Sequence, residues 1–312
     1  MVAAGSAAVT LTGCATSSDP RLSPAPASPQ TAAWTTAAAA ELTLAGAYIA
    51  AASVVPAWAR WCQSAATLHG AHAVVLRQPD PFGGYSGGKT PAPTPATPPT
   101  DKAAALAAVT QAASAVTQAA SAGLTAGGTA AESLLWASLM ATVAVDTAWC
   151  SAPDSARQPF ASGVVLPRPM AALSPADAAS TALSLLNRLI AVLTTALGQV
   201  PAADPLHAAM ADRLAQTGPL RDSLQHIIQT PSPAALTYDL PAHLGSPDVA
   251  RRYWGQTEDS LGQAYTRLAA ALASDSATPA ANDALSAATQ AGDQLARASS
   301  LDRVITWWPG WQ

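Results

Sequence analysis

The sequence predicts an all-α protein, built as two tandem four-helix bundles with long Pro-rich crossovers, behind an export signal and a flexible stalk. Three observations carry this reading. Alanine, leucine and valine dominate a chain whose aromatic content is 5%, a composition that favours helix. Helix-start signals recur as Ser, Thr or Asp followed by Pro at the first helical position or by Glu three residues on. They fall into two sets of four, each ordered short turn, long crossover, short turn.

The first predicted helix covers about 31–53 and places Trp34, Glu41 and Tyr48 on one face, since they recur every seven residues. Pro56 restarts the chain for a second helix over about 57–77. A Pro- and Gly-rich stretch over 79–100 is the first crossover. Asp101 then opens a third helix containing a literal heptad repeat, Val109–Ala115 and Val116–Ala122. Such a repeat keeps one seam against a partner helix. Gly127-Gly128 ends it, and Thr129 with Glu132 forms a capping box for the fourth helix. Its stripe is Leu135, Leu139, Val143 and Asp146.

The second set begins at Ser174-Pro175, with Leu186, Ile190, Leu193 and Leu197 as a stripe. Asp204-Pro205 opens the next helix, and Gly218-Pro219 is expected to kink or split it. Residues 230–245 form the second crossover. Ser246-Pro247 starts a helix with Trp254, Leu261, Tyr265, Leu268 and Leu272 on one side, and a last helix covers about 279–304. Trp307-Trp308-Pro309-Gly310-Trp311 stands just before the last residue, Gln312. The expected division is 1–13 signal peptide, 14–30 stalk, 31–150 first bundle, 151–173 linker and 174–312 second bundle.

Leu11-Thr12-Gly13-Cys14 follows a small, apolar run and precedes a polar, Pro-bearing stretch. This order resembles a bacterial lipoprotein signal, which implies diacylation of Cys14. The protein would then be exported and held by lipid on the outer face of the cytoplasmic membrane, since two acyl chains give stable anchoring. The apolar runs are interrupted by Glu41, Asp146 or Arg188, so the body is expected to be soluble. A net charge of −4 without a basic cluster argues against a nucleic-acid partner. With Cys14 acylated, Cys62 and Cys150 remain. A long crossover makes the second and third helices run parallel, which puts both cysteines at the same end of the first bundle. A Cys62–Cys150 disulfide is therefore expected in an oxidising compartment.

Several segments resemble a ferritin-like domain of unknown function found in actinobacterial lipoproteins. They are Ala235–Leu240 with Pro241, Thr257-Glu258-Asp259 with Tyr265, and Trp308-Pro309-Gly310. Leu68-His69-x-x-His72 and Leu134-Leu135-x-Ala137-Ser138-Leu139 are similar to the segment preceding that domain. The resemblance implies a degenerate ferritin-like protein. Ferritin-like di-iron centres take four glutamates and two Glu-x-x-His pairs. This chain has three glutamates, Glu41, Glu132 and Glu258, and no Glu-x-x-His. The usual centre cannot be built, so no cofactor and no catalytic residue are expected.

A smaller site is the alternative. Folding the first hairpin near Val55 sets Glu41 level with His69. His72 lies one turn along, and Asp146 comes to the same level, forming a His/carboxylate cluster suited to a divalent metal. The plainer expectation is a polar network that satisfies itself. Glu258, on an apolar stripe, is expected to be a structural core carboxylate partnered by Tyr265 or Arg221. The leading function is a non-enzymatic envelope scaffold or interaction module, in which the tryptophans of the C-terminus and Trp58/Trp61 either meet an envelope partner or plug the core. The alternative is a divalent-metal-binding or redox protein.

Overall fold

The computed structural model describes residues 29–83, 91–153, 160–161, 166–171, 173–228, 238–275 and 280–311. The signal, Cys14 and most of the 14–30 stalk lie outside these residues, as do parts of the 151–173 and 230–245 connections. Among the described residues the fold is all-α. It consists of α1 (Pro29–Val54), a 3-10 turn (Pro56–Trp58), α2 (Ala59–Leu76), α3 (Lys102–Ala126), α4 (Ala130–Ser151), α5 (Pro175–Leu197), α6 (Pro205–Ala215), α7 (Thr217–Ile227), α8 (Pro247–Ser274) and α9 (Ala281–Ser300).

Four of the helix-start signals cap through their side chains, while Ser246 starts α8 without a side-chain cap bond. Asp101 accepts from the Ala104 amide, Thr129 and Glu132 close a reciprocal capping box, Ser174 accepts from Asp177, and Asp204 accepts from Leu206. Each satisfies an orphan amide of a first turn. The expected break near Gly218-Pro219 falls at Gln216, so that Pro219 sits in the first turn of α7, where its missing N–H costs nothing. The last helix ends at Ser300, short of the expected 304, and Asp302 takes a positive φ of 64° as the chain turns away.

Packing repeats itself in the two sets. α1 lies against α2 and α3, and α3 against α4; α5 lies against α6, α7 and α8, and α8 against α9. α4 also packs on α8 and α9, so one continuous apolar core runs through both sets. Alanine permits this closeness: Ala137 and Ala141 on α4 and Ala288 and Ala291 on α9 are buried. The 91–100 stretch is more than a tether. The Thr94 amide donates to the Leu42 carbonyl at 3.1 Å, and the absent side chain of Gly46 makes room for the Thr94 carbonyl.

Two expectations are corrected here. No disulfide joins Cys62 and Cys150. The start of α2 and the end of α4 do meet, through an aromatic contact. Trp61 and Trp149, the sequence neighbours of the two cysteines, meet edge-on with ring centroids 6.3 Å apart. A disulfide needs Cβ atoms about 3.5–4.5 Å apart, whereas α2 packs mainly on α1, and α4 mainly on α3, α8 and α9. Second, three helices are long and apolar enough to cross a membrane by length and composition, within Ala32–Val54, Ala130–Ser151 and Pro175–Leu197. One or two ionisable residues do not shorten these runs below a span.

Candidate metal centre

Glu41 sits mid-way along α1, His69 and His72 lie one turn apart on α2, and Asp146 is near the end of α4. All four are fully buried, and the structure brings them together. His69 lies between two carboxylates, with Nδ1 2.5 Å from Glu41 Oε2 and Nε2 3.0 Å from Asp146 Oδ2. His72 turns Nδ1 to the other Glu41 oxygen at 3.2 Å and Nε2 to the Trp307 carbonyl at 2.7 Å. The Tyr48 hydroxyl donates to Asp146 Oδ1 at 2.7 Å. The Tyr48 ring stacks on His69 with centroids 5.7 Å apart, and Trp308 lies 4.2 Å from the His72 ring.

The electrostatics follow from burial set against proximity. Burial alone would raise the Glu41 carboxyl, but the charges of His69 and then His72, with their hydrogen bonds, hold it at about 2. Burial alone would lower His69, but Glu41 and then Asp146 push it up to about 10. Burial, followed by the Asp146 charge, holds the Tyr48 hydroxyl well above its ordinary value. Without an ion, His69 is therefore an imidazolium donating from both nitrogens.

The same atoms form a ligand set. One atom each from Glu41, His69 and His72 lie within 4.8 Å of one another, and this is the one such group of three among the described residues. Ligands about 2.1 Å from a shared ion stand roughly 3 Å apart when adjacent, which is the scale of these separations. The outer contacts fit as well. A ligating histidine donates its second ring N–H to a carboxylate or a carbonyl. His69 has Asp146, itself held by Tyr48, and His72 has Trp307. Asp146 thus stands behind His69 rather than beside Glu41.

A second polar cluster occupies the other helical set. Arg213 on α6 donates to both oxygens of Glu258 on α8, at 2.6 and 3.0 Å, and to Gln294 Oε1 on α9 at 2.6 Å. Trp254 Nε1 donates to Glu258 Oε1 at 2.8 Å. The expected partners of Glu258 are corrected. Arg213, buried in the last turn of α6, takes the place given to Arg221, which lies beyond the break on α7 and is exposed. The Tyr265 hydroxyl finds no partner among the described residues.

Sequence reasoning found Glu41, His69, His72 and Asp146 but missed two parts of the site. Tyr48 was legible as a face-mate of Glu41, and its role needed the position of Asp146. The Trp307 carbonyl is backbone and leaves no sequence trace. Trp58, Trp61, Trp308 and Trp311 are buried, and Trp307 is half-buried. A groove of about 810 Å³ runs along Gln63, Thr67 and Val74 of α2; it shares only the two terminal tryptophans with the cluster. Comparison with family models, with curated proteins and with solved structures finds no significant match to this chain.

Proposed function

We propose that this chain is an exported, lipid-anchored protein of two tandem ferritin-like bundles that holds one divalent transition-metal ion at Glu41, His69 Nδ1 and His72 Nδ1. One observation carries the metal reading: both Nδ1 atoms converge on one carboxylate while each Nε2 is taken up by an oxygen behind it. Two imidazoles and a carboxylate suit zinc, iron, copper or nickel. Such an ion supplies a Lewis acid and, if iron or copper, a one-electron centre sealed from water. The repeated packing order, first helix on second and third, third on fourth, supports the tandem ferritin-like reading. Leu11–Cys14 supports the lipid anchor.

The test is metal analysis of protein purified without a polyhistidine tag, with cobalt(II) titration of the dialysed form. One equivalent bound in wild type, and none in His69→Ala or Glu41→Gln, is the expected result. A second reading rests on the closure of the cluster, in which every ring nitrogen has an oxygen partner without an ion. Wild-type protein that takes up no metal leaves this closed ion-pair network, and with it the non-enzymatic scaffold. Labelling of cells with an alkyne fatty acid, lost in Cys14→Ala, tests the anchor.

A further inference from the structure

We infer that the C-terminal segment 301–311, which belongs to the second helical set, positions His72 for the ion, so that metal affinity in the first set is controlled from α8. The inference rests on the metal reading above. After α9 the chain reverses at Asp302 (φ 64°) and the Ile305 carbonyl accepts from the Ala161 amide. The segment then crosses to α2, where the Trp307 carbonyl meets His72 Nε2 and Trp308 covers the ring. Its fixed point is Gly310. Arg267 Nε donates to the Gly310 carbonyl at 2.8 Å, and the Gly310 amide donates to Gln263 Oε1, both from α8. Gly310 has φ +91°, and a Cβ there would come within 2.7 Å of Leu134 Cδ1. Any side chain there would be strained at this φ and crowded against Leu134.

The chemical consequence lies in the tautomer. A carbonyl oxygen only accepts, so His72 Nε2 must carry a proton. In a neutral imidazole the lone pair then falls on Nδ1, the atom that faces Glu41. Take the carbonyl away and the opposite tautomer can donate from Nδ1 to Glu41, leaving no lone pair for an ion. Trp307 therefore does for His72 what Asp146 does for His69. Trp307 is a positioning residue acting through its backbone, and Arg267 acts through Trp307.

The test compares cobalt(II) affinity and visible absorption in wild type, Gly310→Ala, Arg267→Met and a chain ending at Arg303. Loss of outer-shell partners typically costs about 10–100-fold in affinity. The truncation and Gly310→Ala are expected to fall in that range, with an altered cobalt spectrum, and Arg267→Met is expected to show a smaller fall of the same sign. Glu258→Gln is the control for destabilisation of the second set. It is expected to lower the melting temperature while leaving cobalt affinity and spectrum unchanged. If the truncated chain does not fold, the two point variants decide. Hydrogen exchange showing segment 304–311 released in them, with wild-type affinity and spectrum retained, overturns the inference and leaves the metal reading standing. Wild type that binds no cobalt overturns both.

Discussion

The two buried polar clusters answer one problem in opposite ways. Each places a glutamate where water cannot reach it, Glu41 in the first helical set and Glu258 in the second. An unpaired buried carboxylate would neutralise or unfold the protein. Glu258 is matched by Arg213, a cation built into the chain, in a two-point contact extended to Gln294 and Trp254. A guanidinium has no lone pair and keeps its proton, so this cluster can bind nothing. Glu41 is matched by imidazoles, whose charge is carried by removable protons. An ion can replace those protons. The comparison teaches that the same architectural need can be closed by a fixed cation or by removable protons, and the metal reading proposed above rests on the second solution.

The largest effect that could break this comparison is Glu41→Ala. It removes a ligand and also the countercharge of His69. Breaking a buried pair by deleting one partner costs about 3–5 kcal/mol, so the metal-free variant should be destabilised by that order in urea denaturation and should bind no cobalt(II). A variant of wild-type stability would mean that the cluster is not desolvated as described. Arg213→Ala should carry a similar cost, about 3 kcal/mol or more, yet leave metal affinity intact. An affinity loss there would couple the clusters and blunt the contrast. Asp146→Asn should follow, at about 10–100-fold in affinity, because an amide accepts from His69 less strongly than a carboxylate does. An unchanged Kd in isothermal titration would remove Asp146 from the outer shell.

Much of the fold was legible because alanine-rich helices are punctuated by unambiguous chemistry. Asp101, Thr129 with Glu132, Ser174 and Asp204 were each readable as caps, and each caps. The first cluster was legible because the hairpin near Val55 fixes a register: α1 and α2 meet antiparallel, so Glu41 and His69 share a level. The second was not, because Arg213 and Arg221 flank the expected break and nothing in the sequence tells which of them turns inward. Arg221 lies beyond the break and is exposed, whereas Arg213 in the last turn of α6 is buried. The disulfide failed for a different reason. Topology fixes which turns face one another, and helix packing decides how closely; α2 packs mainly on α1, and α4 on α3, α8 and α9. The Trp307 carbonyl was beyond any reading of side chains.

The smallest effect, and the one that sharpens the contrast most, is that of pH on the metal-free protein. His69 is raised from 6.5 to about 10 by Glu41 and Asp146, against burial. A folded-state value above the unfolded one gives stability that is fully present below about pH 6.5 and is lost as pH rises toward 10. Glu41, lowered from 4.5 to about 2, gives stability that is present above about pH 4.5 and is lost as pH falls toward 2. The first cluster should therefore be strongest between about pH 4.5 and 6.5. The groups facing His69 are Glu41, Asp146, Tyr48 and His72. The second cluster contains no histidine. Melting temperatures in chelator should then fall between about pH 6.5 and 9 in wild type and fall less in His69→Gln. With saturating cobalt(II) the slope should weaken or reverse, since an ion competes with the protons it displaces and binds better as they leave. Equal slopes in wild type and His69→Gln would mean that the imidazolium between the two carboxylates is not what the first cluster titrates, and the division into a permanent and an exchangeable cation would have to be given up.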